Sequence, residues 1–316
     1  MVSKGRALLM DEKSVGLKNK KNSDYRNGLI CVLACQLFWG FCPIYWQALV
    51  PIPSWIIILY RMVTMFVYSY IAARMRYSKE EIWGSLKEKG VIARYLAAGL
   101  LLTANWSTYI WAMTTGHMIQ ASIGYYIEPI VICLFGVVIF REKFTKYNAT
   151  AMGLALISLT VMLIHYGQIP GVALGLAFTW ACYSAIKKST DRPPLIELVY
   201  ETMFYAVLAV AAIFYIETKG IGALSLGVPG KYALMFLSGL ITLIPIALFG
   251  SAAKKVTLFV IGLAQYISPT ITLLLGIFAY KEPIDRVQVI SFAIIWIGLV
   301  FFSYGEYKNN IEQSES

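Results

Sequence analysis

The chain of 316 residues is 59% apolar and 14% charged, with a mean hydropathy of +0.66. A soluble domain is nearer half apolar and a quarter charged, and disorder needs the opposite composition, so both are excluded in favour of a polytopic membrane protein. The formal charge of +10 has to be tested against membrane topology before nucleic acid is considered as a partner.

Residues 1–27 are polar and basic, with Lys4, Arg6, Lys13, Lys18, Lys20, Lys21 and Arg26. They lack the apolar stretch of a cleavable signal and read as a disordered cytoplasmic tail, within which Met10 is an alternative start. A spanning helix needs about 20 apolar residues. Ten such segments follow in order, near 28–50, 54–73, 92–113, 119–140, 148–166, 169–187, 195–216, 232–251, 257–280 and 287–304. Residues 305–316 form a second cytoplasmic tail. Turn chemistry divides the segments at Pro51-Ile52-Pro53, Pro170-Gly171, Pro193-Pro194 and Pro229-Gly230, and a charged break runs from Arg74 to Lys89. The expected fold is therefore all-α, with ten transmembrane helices and no room for a soluble catalytic domain.

With the amino terminus inside, the cytoplasmic segments carry 22 of the 27 Lys and Arg residues and the outer loops carry 4. That bias places both termini in the cytoplasm. It accounts for the basic charge, and nucleic acid drops out as a partner. Cys31, Cys35, Cys42, Cys133 and Cys182 all lie in apolar runs without zinc-site spacing. His117 and His165 are well separated and near the outer surface, so no metal site is expected.

An internal repeat emerges at an offset of 140 residues. Tyr126-Ile127-Glu128-Pro129 matches Tyr266-Ile267-Ser268-Pro269, and the same offset pairs Leu134 with Leu274, Gly136 with Gly276 and Glu142 with Glu282. One helix earlier, Gly99-Leu100 matches Gly239-Leu240. The repeat unit is then five helices, 28–166 and 169–304. An odd number inverts the second copy in the membrane. Inverted repeats are characteristic of secondary transporters, whose site lies between the halves near the bilayer midplane.

Charged groups at membrane depth cost several kcal/mol and face a cavity or a partner. Arg61 lies about 10 Å into the second helix; it reads as an anion binder, with an interhelical ion pair or snorkelling as the structural alternative. Glu128 precedes Pro129, which interrupts helical hydrogen bonding, so a carboxylate and freed carbonyls meet where a cation, a proton or a polar solute could bind. Glu197 and Glu201 share a helix face; Glu197 suits the helix N-terminus and Glu201, one turn deeper, is the better cavity residue. Asn105, Trp106, Tyr126, Gln265 and Tyr266 complete the expected substrate-binding set, and Pro43, Pro129, Pro245 and Pro269 mark expected helix breaks or hinges. Enzyme signatures such as HExxH, GxSxG, Walker A and a strand-to-helix GxGxxG are absent, so neither catalysis nor a self-contained ATP-driven pump is expected, and no cofactor.

These residues form an ordered series: Phe38-Trp39-Gly40 with Pro43, Arg61, Asn105-Trp106, Trp111-Ala112, Ala121-Ser122-Ile123-Gly124-Tyr125 with Pro129, then Glu142 and Phe144. Leu174-Gly175-Leu176-Ala177-Phe178 with Tyr183, Lys187-Lys188, Ile196-Glu197, Gln265-Tyr266-Ile267, Pro269-Thr270 and Ile295-Trp296 follow. Over about 27–305 the chain resembles the RarD proteins of the EamA branch of the drug/metabolite transporter superfamily. The resemblance implies two EamA repeats, a plasma-membrane location and transport by alternating access. Two departures stand out. The family pattern implies Asn where this chain has Glu128, and an acid and a His where it has Ile56 and Tyr60. Glu128 is therefore a candidate relocated partner for Arg61. The expected function is secondary transport, as an exporter, of a small polar or amphipathic metabolite or drug. Glu128 and Glu201 are candidates for a coupling proton, with facilitated diffusion as the alternative. A monomer or a homodimer in the lipid bilayer would serve. The rival readings are flipping of a lipid-linked small molecule and a non-transporting assembly partner.

Overall fold

The computed structural model describes residues 2–84, 86, 88–114, 118–167, 171–279, 281 and 286–315. His117 and Glu282 lie outside these residues. Among the described residues every regular element is helical. The helices are α1 (Val2–Ala48), α2 (Ser54–Arg76), the short α3 (Lys79–Gly84), α4 (Val91–Thr114), α5 (Met118–Val138) and α6 (Lys146–Tyr166). They continue as α7 (Gly171–Lys188), α8 (Pro194–Thr218), α9 (Pro229–Ala253), α10 (Leu258–Ala264), α11 (Ile267–Phe278) and α12 (Arg286–Glu315), with a 3₁₀ turn at Leu224–Leu226. Seven are long and apolar enough to cross a membrane, the α10–α11 pair counted as one, and Ile123–Val138 of α5 is a shorter apolar helix.

Local chemistry sets the ends. Thr145 accepts a hydrogen bond from Asn148 N and starts α6, which stops at Gly167 in the left-handed region. Ser78 and Glu81 exchange backbone-to-side-chain bonds, a capping box that starts α3. Thr257 caps α10 in the same way as Thr145 caps α6. The Glu142 carboxylate, from the loop after α5, accepts the next two free amides, Leu258 N at 2.7 Å and Phe259 N at 3.0 Å.

Two expectations need correction. The basic stretch read as a disordered tail is helical and continuous with α1 from Val2; its Ala, Leu, Met and Lys residues are good helix formers. The prolines do not act alike. The helix runs unbroken through Pro43, Pro129 and Pro245, because one proline removes a single backbone bond and neighbouring packing holds the axis. Only Pro269 accompanies an interruption, at Gln265–Tyr266 between α10 and α11. Gln265 is the residue whose carbonyl Pro269, lacking an N–H, cannot satisfy.

Lipid is the solvent for the outer faces, so large apolar side chains such as Val207, Phe214, Phe278 and Val300 are exposed. The interior instead gathers polar and charged groups: Gln36, Arg61, Lys187, Glu197, Glu201 and Gln265. At the 140-residue offset α1 corresponds to α7, α2 to α8, α4 to α9, α5 to α10–α11 and α6 to α12. The packing pairs follow this correspondence. α2 lies on α8, α6 on α12 and α5 on α10, each helix against its own counterpart. α5 packs on α7 as α11 packs on α1, and α4 contacts α7 and α8 as α9 contacts α1 and α2.

Two glycines permit the last pair of crossings. A Cβ at Gly99 would overlap the Glu201 carbonyl of α8, and one at Gly239 would overlap the backbone of Thr64 and Met65 in α2. We expect Gly99→Val and Gly239→Val each to lower the melting temperature of the purified protein, at a cost of about 1–3 kcal/mol. Gly153→Ala, where nothing lies within 4 Å, should hold or raise it by relieving about 0.5–1 kcal/mol of backbone entropy.

Candidate functional site

Arg61 comes from the buried face of α2, with Ile57, Ile58, Thr64 and Met65. It is 9% exposed. Its guanidinium carbon stands 4.1 Å from the centre of the Trp106 ring of α4 and 5.5 Å from that of Trp46 of α1. Indole faces attract a cation but accept none of the five guanidinium N–H bonds. Nε is buried without a hydrogen-bond partner, and the ion pairs of the described residues do not include Arg61.

Glu128 is not its partner. With the Gln265 amide oriented to satisfy both neighbours, its NH2 donates to Glu128 Oε1 at 2.7 Å and its oxygen accepts Trp180 Nε1 at 2.7 Å. The Gln265 side chain projects from the break between α10 and α11, so the interrupted helix supplies the amide that holds the α5 carboxylate. The next residue, Tyr266, donates its hydroxyl to the Tyr126 carbonyl at 3.0 Å. These two tyrosines are repeat counterparts, and they meet each other across the halves. The Tyr126 ring stacks obliquely on Phe292 at 5.2 Å. Asn105 has a structural bond: its amide donates to the Leu176 carbonyl at 2.9 Å and to Thr179 Oγ1 at 3.1 Å, tying α4 to α7.

Glu201 belongs to a separate buried cluster. Lys187, from the last turn of α7, is fully buried and bridges Glu197 Oε2 at 2.6 Å and Glu201 Oε1 at 2.8 Å. Tyr183 donates to Glu201 Oε2 at 3.0 Å. Lys254, just past α9, bonds Glu197 Oε1 at 2.8 Å, and Tyr95 of α4 reaches the same oxygen at 3.3 Å. Lys187 was invisible as a site residue in the sequence, where Lys187-Lys188 reads as a cytoplasmic charge pair. The signal that could have found it is helical spacing, since Lys187 lies four residues after Tyr183 and so on the same face. Glu197 is likewise no surface cap but a fully buried counter-ion.

The eight expected residues thus fall into neighbouring groups. Arg61 meets Trp106, Glu128 meets Gln265, Tyr126 meets Tyr266, Glu201 meets Lys187, and Asn105 faces α7. A shallow, narrow groove between α2, α4 and α8 has Met65, Gly99, Thr103, Trp106, Glu201 and Tyr205 in its walls. Trp106 is its link to Arg61.

Long apolar helices facing lipid around a charged and aromatic interior define a multi-pass membrane protein. The EamA-like transporter family profile matches residues 26–164 and again 170–304. The chain belongs to this family, with its two repeats, and is a membrane transporter. It is 34% identical over 292 residues to the uncharacterized transporter YojE of Bacillus subtilis, covering 91% of this chain and 97% of that one. It is 30% identical to Protein RarD of Salmonella typhimurium and 28% identical to that of Escherichia coli K12, in both cases over 88% of this chain and 94% of the relative. A crystal structure at 15% identity superposes with a TM-score of 0.68 over 88% of this chain and 97% of the other, which establishes the shared fold.

Removing the shared cation strands two buried carboxylates. Lys187→Met should destabilise the protein by about 3–5 kcal/mol, read as a large drop in melting temperature. Adding Glu201→Gln should lose less than the sum of the single changes, with a coupling of about 0.5–3 kcal/mol.

Proposed function

We propose that the protein is a secondary transporter of a small polar or amphipathic metabolite or drug, working by alternating access between two inverted five-helix halves in the plasma membrane. The observation that carries this reading is the exchange of packing partners between the repeats. α1 contacts α9 and α11 as α7 contacts α4 and α5, so swapping the conformations of the halves converts one set of contacts into the other. That is the physical requirement for a site that opens alternately to either side.

Ten spans are reached when α4, of 24 residues, and α7, of 18, join the eight apolar segments above. The charge bias of the loops supports cytoplasmic termini. In this reading Arg61, Trp106, Asn105, Glu128, Gln265, Tyr126, Tyr266 and Glu201 lie along the pathway. The break between α10 and α11, near Pro269, is the hinge best supported by the backbone, with Pro43, Pro129 and Pro245 as points where helices flex. One chain holds both halves, so a monomer suffices. Export is the direction we propose. Glu128 and Glu201 remain the groups suited to carry a coupling proton.

The test compares metabolites outside cells expressing wild type, Arg61→Ala, Glu128→Gln or an empty vector. A compound enriched about tenfold or more with wild type, and falling to the vector level in Arg61→Ala, is the expected outcome; tenfold corresponds to about 1.4 kcal/mol at the affected step. Identical profiles for wild type and empty vector would remove export.

A further inference from the structure

The interior charges form an account that fails to balance at one place. Among the described residues, each acid in the helical interior has a protein partner. Glu128 accepts from Gln265. Glu197 and Glu201 share Lys187, and Glu197 also takes Lys254. Glu217, at the end of α8, accepts Tyr60 Oη at 2.8 Å and the backbone N–H of Ala223 at 2.7 Å. Lys187 and Lys254 are paired in turn. Arg61 alone of the buried cations has two indoles and no anion, with Nε unsatisfied.

A buried guanidinium without an anion is costly, because the ring quadrupole offsets only part of the lost hydration. Guanidinium donors lie in a fork that matches a carboxylate in two parallel hydrogen bonds. The two indoles beside it offer flat apolar walls, suited to an aromatic or similarly planar body. An ammonium on the same ligand would find each nearby acid already engaged.

We propose that the missing counter-ion is the substrate's own: the protein takes an organic monoanion, a carboxylate on a flat apolar body, with the carboxylate on Arg61 and the body against Trp46 and Trp106. This names the substrate class and rests on the transport reading for the purpose of the site. Zwitterionic amino acids, amides and amines are the excluded classes.

The test uses purified full-length protein and equilibrium binding of radiolabelled benzoate, phenylacetate and indole-3-acetate. The competitors are phenylacetamide, phenethylamine and phenylalanine. We expect at least one of the three carboxylates to bind about tenfold or more tightly than its amide or amine, and than phenylalanine. We expect Arg61→Gln to lose about ten- to a hundredfold of that affinity, as for a charge-assisted bond. The comparison of phenylacetate with phenylacetamide on wild type needs no variant. The assignment is overturned if none of the three carboxylates binds, if amide or amine binds equally, if phenylalanine binds as tightly, or if Arg61→Gln keeps full affinity. Binding is measured without flux, so its failure is separate from failure of the transport reading: export of an uncharged or cationic compound would leave transport standing and this assignment fallen.

Discussion

Neutralisation of buried charge is the constraint on which the interior depends. In a medium that offers no water, each ion must find an opposite charge or a converging set of dipoles. Lys187 meets that demand for two carboxylates at once, and so draws the end of α7 against the start of α8, while Lys254 brings in the end of α9. The helices surrounding this knot cannot slide independently, since displacing any one of them exposes an ion. Tyr183 of α7 adds a hydrogen bond to Glu201 and Tyr95 of α4 adds one to Glu197, and the rest of the bundle is packed around that arrangement.

Duplication places the contrasting case at the equivalent position. Arg61 and Glu201 are 140 residues apart, the interval that relates the repeats. One copy of this locus is a carboxylate closed into an ion cluster; the other is a cation held by indoles. The neighbouring crossings are related in the same way, through Gly99 on α8 and Gly239 on α2. Divergence after duplication has thus kept the backbone contact and reversed the charge. A nearly symmetric scaffold has acquired an electrically asymmetric interior.

Much of this architecture was legible in the sequence, because membrane solvation writes itself into long apolar runs and tight glycine crossings survive as identities. The apolar segments and the offset that pairs Gly99 with Gly239 needed no coordinates. The pairing of side chains was less accessible. Arg61 and Glu128 read as partners in the sequence because they carry opposite charges, and because Glu128 adds an acid where the family pattern has Asn while the acid expected near Arg61 is replaced by Ile56. Sequence gives the depth of a residue along a helix, but not the rotation that turns Glu128 toward Gln265. Lys187 was hidden for a related reason. A lysine beside another lysine at a helix end resembles a topology signal, and only packing distinguishes Lys187, enclosed by carboxylates, from Lys188, which reaches the Val256 carbonyl and Glu142. The prolines misled because the residue type marks a lost hydrogen bond, whereas a break also requires that nothing else hold the axis.

The exchange of first helices between halves has a consequence for biogenesis. The main neighbours of α1 are α9 and α11, which begin at Pro229 and Ile267. When the end of α1 at Ala48 has been made, the first of these partners, α9 at Pro229, still lies 229 − 48 = 181 residues ahead in the chain. The buried face of α1, with Gln36 and Cys35, must wait in lipid or against a membrane chaperone until the second repeat is inserted. Neither repeat can complete its own core, so assembly is committed only once translation is almost finished. A nascent chain truncated after the first five helices is left with an unsatisfied polar surface, the kind of feature by which membrane quality control recognises a fragment.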